Sequence, residues 1–219
     1  MRMVLHWSQQ KCTLKKEGQK LKLLLPKVKK FMTKETVRKQ EIGTVKKRDT
    51  LEKAVNYAYL SIGSNLGNKK FNIEKTKFLI SQKSIKIIRC SSYYESPSWP
   101  NPKFPRYLNI IIKINTDHNL VELFSILKKI EKKMGRKRKP KNFPRTCDID
   151  IIDFNNLNTI AIYKKETISI PHPRMHNRNF VLMPMFEINN KWVHPNLKRN
   201  ISEILSKLPI DNITAVKLI

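Results

Sequence analysis

Pro144-Arg-Thr-Cys-Asp-Ile-Asp-Ile-Ile152, with Pro140 four residues ahead of it, constrains this chain more than any other segment. Proline lacks a backbone donor and fixes φ, so a continuous helix or central strand cannot pass through Pro140 and Pro144; a loop must. The residues after the loop alternate acid and isoleucine, the period of a strand. In a strand successive side chains point to opposite faces at about 3.3 Å per residue. Asp148 and Asp150 therefore share one face, with Cα atoms roughly 6.6 Å apart. Ile149, Ile151 and Ile152 supply the apolar ribbon that would hold them.

Two converging carboxylates suit a hard cation. Mg²⁺ takes oxygen ligands, usually one or two carboxylates plus substrate phosphates, and paired metals in phosphoryl-transfer sites sit about 3.5–4 Å apart. Six cations precede the acids between Arg136 and Arg145, and Arg136, Arg138 and Arg145 offer guanidinium forks for phosphate oxygens. The plain alternative is a solvated charge run ending at an ordinary strand terminus.

Net charge over the 219 residues is +28, which attracts polyanions of any kind, including nucleic acid. The excess is +11 over residues 1–56 and +17 over the rest, so it is spread along the chain, as a Lys-, Asn- and Ile-rich codon bias would spread it. The Lys-rich runs lack the interleaved aromatics that stack on bases, and no specific nucleic acid is expected. Cys12, Cys90 and Cys147 are odd in number and far apart, without a disulfide or zinc pattern. No apolar run reaches the roughly 18 residues of a membrane span, so the expectation is a cytoplasmic protein without membrane attachment. Residues 1–56 make a poor transit peptide, with one serine and interspersed acids, and are read as a basic, poorly ordered N-terminal extension. Residues 57–219 form the folded domain.

Within it, Asn56 to Ile62 alternates as a strand and runs into Gly63-Ser64-Asn65-Leu66-Gly67-Asn68, a turn seeding a helix. The turn is not a P-loop, because its glycines are too close and no Gly-Lys-Ser/Thr follows. Phe71, Ile73, Phe78, Leu79 and Ile80 suggest an amphipathic helix to about Gln82, and Ser84 to Arg89 a second strand. Ser91 to Pro102 reads as an aromatic, hydroxyl-rich loop. Leu108 to Asn115 alternates as a central strand. Asn119 and Glu122 form a capping box for a helix with Leu120, Leu123, Phe124, Leu127, Ile130 and Met134 as its stripe, closed by Gly135; Glu131 lies on its last turns. Thr167 to Ile170 is another strand, Phe180 to Ile188 an apolar stretch interrupted by Pro184 and read as a short helix, and Asn200 with Glu203 a second capping box for Ile201 to Leu208. The order predicts an α+β fold, a ferredoxin-like (split βαβ) sheet with helices on both faces.

Four segments together, Tyr59-Leu-Ser-Ile-Gly-Ser-Asn-Leu-Gly67, Tyr94-Glu-Ser-Pro97 with Tyr107-Leu-Asn109, Gly135-Arg-Lys-Arg138 with Pro144 to Asp150, and Pro171-His-Pro-Arg174 with Arg178 to Leu182, resemble the hydroxymethyldihydropterin pyrophosphokinases of folate biosynthesis. The likeness covers about residues 57–208. It implies transfer of pyrophosphate from MgATP to 6-hydroxymethyl-7,8-dihydropterin with release of AMP, by a monomer using two Mg²⁺ ions. The family's metal ligands fall on Asp148 and Asp150, in agreement with the shared strand face. Its nucleotide-side residues fall on Glu131, Arg136, Arg138, Arg145, His172 and Arg178. Its pterin pocket falls on Gly63, Ser96, Pro97, Trp99, Tyr107, Asn109 and Phe180, with Phe143 a neighbour. Arg136, Arg145 and the two aspartates would carry the chemistry.

These types suit phosphoryl transfer, where metals and arginines stabilise charge on equatorial oxygens and positioning does much of the rest. Asn109 can donate to and accept from a pterin edge while Phe180 and Trp99 stack. Lys137 to Pro144 would act as a lid. Trp99 and Phe180 as plain core, and His172 as a simple strand cap, are the bland readings beside these. Ser96 stands where the family usually has Thr, and Arg106 where an acidic residue is common. The rival functions are a basic nucleic-acid binder with a decayed kinase site, and a kinase for another acceptor, which would release ADP.

Overall fold

The computed structural model describes residues 55–136 and 143–219. The N-terminal extension up to Ala54, Arg138 and most of the expected lid lie outside the described residues. Strand β1 (Asn56–Ser64) is an inner strand of the sheet, and its last seven residues are all buried. Both its rows are covered because helices pack on both faces, so its burial does not alternate as its sequence does.

β1 pairs antiparallel with β4 (Tyr107–Thr116) on one side, from Asn56↔Thr116 to Ser64↔Leu108. On its other side lies β5 (Asp148–Phe154), from Ala58↔Phe154 to Gly63↔Asp148. Beyond β4 the edge is divided between β2 (Ile85–Cys90) and β3 (Tyr94–Ser96), both antiparallel to it, and β8 (Lys217–Leu218) extends β3. Ile151 pairs with Leu60 and Asp153 with Tyr59, leaving Ile152 as the extra residue of a β-bulge. The bulge returns Asp153 to the face carrying Asp148 and Asp150.

One face, with Leu60, Ile62, Ile110, Ile112 and Ile114, packs against α1 (Lys69–Ser81) and α2 (Leu120–Lys133). Burying each such isoleucine contributes about 1.5–3 kcal/mol. The other face, with Tyr59, Ile111 and Ile152, packs against α3 (Asn179–Ile188) and α4 (Ile201–Ser206). α5 (Ile210–Thr214) follows, and β6 (Thr159–Tyr163) with β7 (Glu166–Ile170) makes a separate hairpin.

The Asn119–Glu122 capping box is present on α2 with both reciprocal bonds. Several other expectations are corrected. Phe71 and Phe78 are not core: they are 59% and 61% exposed. At 3.6 residues per turn they lie about 200° round α1 from Ile73 and Ile80, which occupy the buried side. Ser91 to Pro102 is not wholly irregular, since Tyr94–Ser96 pairs with β4. At Asn200 only the cap half of the box forms, the side chain accepting from Ser202 N, and α4 stops at Ser206. Pro184 does not interrupt α3, which continues through it.

Candidate active site

Strand alternation and register place the expected residues. Tyr107, Asn109 and Ile111 of β4, Ser61 and Gly63 of β1, and Asp148 and Asp150 of β5 all project from the face covered by α3. Gly63 is the cross-strand partner of both Asn109 and Asp148, so the three make one row across the sheet. α3 covers the middle of this face, and a cavity of about 640 Å³ opens at the end where the row lies. Gly63 is its floor. A Cβ there would come within 3.0 Å of Asn109 Oδ1 and 3.4 Å of Tyr107 Cδ1, so any side chain would push into the polar wall.

At one end the carboxylates are gripped by cations. Arg145 Nη1 lies 2.9 Å and Arg136 Nη1 3.2 Å from Asp148 Oδ1. Arg178 Nη1 lies 3.1 Å from Asp150 Oδ2, and His172 Nε2 3.8 Å from the same oxygen. The aspartate side chains keep 30% and 33% of their surface exposed, so oxygens remain reachable from the cavity. Burial pushes His172 below its ordinary value against the pull of Asp150, leaving the ring neutral at pH 7. Burial works to lower Arg145, but Asp148 and Tyr107 beside it carry its net shift upward.

Glu131 stands behind this group, with its side chain almost wholly buried. It pairs with Arg136, receives Lys128 Nζ at 3.1 Å and accepts Ile149 N at 2.9 Å, fixing the arginine and the strand together. Its pKa is raised by burial, against Lys128 and Arg136. Thr146 Oγ1 donates to the Met134 carbonyl at 2.6 Å, tying the start of β5 to the end of α2.

The opposite end is aromatic and amide-bearing. Asn109 Nδ2 donates to Ser96 Oγ at 3.0 Å and to the Tyr94 carbonyl at 3.3 Å, which orients its amide. Pro97, Trp99, Tyr107 and Phe180 complete that wall. Trp99 is 70% exposed at the rim, which excludes the core reading for it. Phe180 is half-buried against the second core, with the Arg178 guanidinium 5.6 Å from its ring centre. Phe143 packs on Phe104 at 5.6 Å between ring centres. Arg106 points away, to Glu95 Oε2 at 2.9 Å and the Ala215 carbonyl at 2.9 Å.

Of the described site residues expected from the sequence, the pterin-side set and Arg145, Asp148, Asp150 and Arg178 line one cavity. Arg136 and His172 do not line it and reach it only through Asp148 and Asp150, and Glu131 stands behind. Ser61, Ser98, Arg174, Asn177, Asn179, Asn212 and Ala215 also line the cavity and were not singled out. Arg174 had a signal in Pro-His-Pro-Arg; Asn212 and Ala215 carry no motif and arrive only through the packing of the C-terminal segment. Among the described residues no three His, Cys, Asp or Glu side chains surround one point, so a cage made wholly of protein ligands is not available there. Two hard oxygen donors facing an open cleft fit Mg²⁺, which dehydrates reluctantly and completes its shell with water and phosphate.

The fold and cleft define an antiparallel α/β protein with a carboxylate- and arginine-lined end set beside an aromatic, amide-lined pocket. A sequence profile of the 7,8-dihydro-6-hydroxymethylpterin-pyrophosphokinase (HPPK) family matches residues 59–190. The chain is 36% identical over 152 residues to the 2-amino-4-hydroxy-6-hydroxymethyldihydropteridine pyrophosphokinase of Haemophilus influenzae, covering 69% of this chain and 89% of that one. It is 37% identical over 154 residues to a folic acid synthesis protein of Dictyostelium discoideum, covering 70% of this chain but 23% of that longer protein. A Plasmodium falciparum HPPK-DHPS crystal structure with pteroate superposes with a TM-score of 0.62 at 16% identity, over 77% of this chain and 47% of that one. The chain belongs to the HPPK family, pyrophosphokinases of folate biosynthesis.

Proposed function

We propose that the chain transfers the β,γ-pyrophosphoryl group of MgATP to the hydroxymethyl oxygen of 6-hydroxymethyl-7,8-dihydropterin. The carrying observation is the row Asn109–Gly63–Asp148, which sets an amide for a heterocycle and a carboxylate for a metal on either side of a glycine floor. Asp148 and Asp150 would hold Mg²⁺, two ions per site. The metal would polarise the phosphate oxygens and offset the charge that develops on them.

Arg136, Arg145 and Arg178 would release their grip on the carboxylates and turn to phosphate oxygens, with Glu131 holding Arg136 in reach. His172, neutral at pH 7, would lie on the nucleotide side. Ser96 would keep the Asn109 amide turned toward the pterin edge, and Trp99, Tyr107 and Phe180 would enclose the ring, with Pro97 and Gly63 setting its depth. The hydroxymethyl oxygen then attacks the β-phosphorus, the bond from that phosphorus to the α,β-bridging oxygen breaks, the hydroxyl proton is released and AMP departs. Positioning and charge stabilisation carry the step, as in other phosphoryl transfers.

The strand order β5-β1-β4 with β2 and β3 sharing the outer edge supports assigning the sheet to the ferredoxin-like class. No helix among the described residues is long and apolar enough to cross a membrane. The reading takes the chain as a cytoplasmic monomer. The nucleic-acid alternative is not favoured, because the family matched is one of pyrophosphokinases, and the lining of the cavity by Asp148, Asp150, Arg145 and Arg178 supports the enzyme reading. Incubating the protein with MgATP and 6-hydroxymethyl-7,8-dihydropterin should yield AMP and the pterin diphosphate in equal amounts. ADP would indicate another kinase chemistry, and no product would defeat the proposal.

A further inference from the structure

We infer that Asn65 is a positioning residue that locks the arginine-bearing segment to the pterin-side loop, so that the two halves of the site hold one relative register. This rests on the function proposed above. Asn65 leaves β1 one residue after its end and is 1% exposed, yet its side chain bonds three residues in two segments, the one before β5 and the loop between β3 and β4. Its Oδ1 accepts Arg145 N at 2.8 Å, and its own backbone N donates to the Arg145 carbonyl at 3.1 Å. Its Nδ2 donates to Ser98 Oγ at 3.1 Å and to the Pro105 carbonyl at 3.1 Å. Ser98 Oγ in turn donates to Pro105 O at 2.6 Å, closing a small buried network.

Each contact leads directly to the cleft. Arg145 carries the guanidinium on Asp148, Ser98 precedes the rim residue Trp99, and Pro105 lies two residues ahead of Tyr107. An asparagine amide has two N–H donors and a carbonyl acceptor, so one side chain can donate to the pterin side while accepting from the arginine side. No other uncharged side chain of this size presents both functions across one amide plane. Aspartate keeps the acceptor and loses both donors; alanine loses all three bonds and leaves buried groups unpaired.

Because Asn65 reaches substrate only through other residues, its test is a coupling measurement. The wild type is assayed first: failure to make AMP would sink the proposed function itself, not this inference alone. With an active wild type, Asn65→Ala should lower kcat at least tenfold. In an Arg145→Ala background the same change should cost less than twofold, because the arginine it positions is gone. Losses that multiply in the double variant would overturn the inference. Asn65→Asp and Ser98→Ala, which leave the Arg145 contact in place, serve where the alanine variant does not fold. Both should raise KM for the pterin several-fold with KM for ATP within twofold of wild type. Equal rises for both substrates, or none, would overturn the inference too.

Discussion

Asn109 and Asp148 are both cross-strand partners of Gly63, and they flank it in a single row of the sheet. At about 4.8 Å between neighbouring strands their backbones stand roughly 10 Å apart. The end that suits a heterocycle and the end that suits a metal–phosphate group are therefore separated by two strand spacings. Whatever reacts must meet above Gly63.

Gly63→Ala should consequently impair pterin binding more than nucleotide binding. The new Cβ, 3.0 Å from Asn109 Oδ1, would force the amide off Ser96. KM for the pterin is expected to rise about tenfold, a cost of about 1.4 kcal/mol. Steady-state kinetics with each substrate varied would check it; a larger effect on KM for ATP would contradict the placement.

Trp99→Ala should leave stability within about 0.5 kcal/mol of wild type, as for other exposed positions. The residue is 70% exposed, so little packing is lost. Pterin affinity should fall by about 0.5–1.5 kcal/mol, the range of an aromatic pair beyond simple burial. Calorimetric titration and a urea unfolding curve on one sample separate the two.

Glu131→Ala should cost about 1–3 kcal/mol of stability, because the buried N–H of Ile149 loses its acceptor. It should also weaken MgATP binding, since Arg136 loses its anchor. Glu131→Gln should restore most of the stability and less of the binding. An unchanged urea midpoint for the alanine variant would show that the carboxylate is not structural.

His194 predicts an acid-side loss of stability. Its Nδ1 accepts Asn196 N at 3.2 Å and Leu197 N at 3.3 Å, and burial, with His176 adding to it, lowers its pKa. A lowered folded pKa means the unfolded chain takes up the proton first. Stability from this group is therefore full above about pH 6.5. It is lost as the pH falls through the folded value. Urea midpoints at pH 7.5 and 5 should differ less in His194→Gln than in wild type; an equal difference would contradict the assignment.

The carboxylate face proposed for the metal was legible in the sequence because strand period alone puts Asp148 and Asp150 together; that Asn109 shares their row through Gly63 came only with the register. Gly63, by contrast, reads from residue pattern only as a turn residue; the family resemblance puts it in the pterin pocket, and the register then sets it between Asn109 and Asp148. Phe71 and Phe78 misled because a seven-residue spacing marks one side of a helix without saying which side is buried; Ile73 and Ile80 share that spacing and took the core. The hairpin over Thr159–Tyr163 was missed because its outward residues, Ile160 and Ile162, are apolar and exposed, so no polar alternation marks it. Asn65 carried no chemical signature, since its role depends on segments 33 to 80 residues away.

The most direct test compares wild type with Asp150→Ala in a pterin-dependent AMP assay, with circular dichroism confirming the fold of each. Wild type should release AMP only when 6-hydroxymethyl-7,8-dihydropterin is present, and Asp150→Ala should lose turnover by orders of magnitude while still binding the pterin. Near-normal AMP release by Asp150→Ala would contradict the claim that the paired carboxylates of β5 carry the metal.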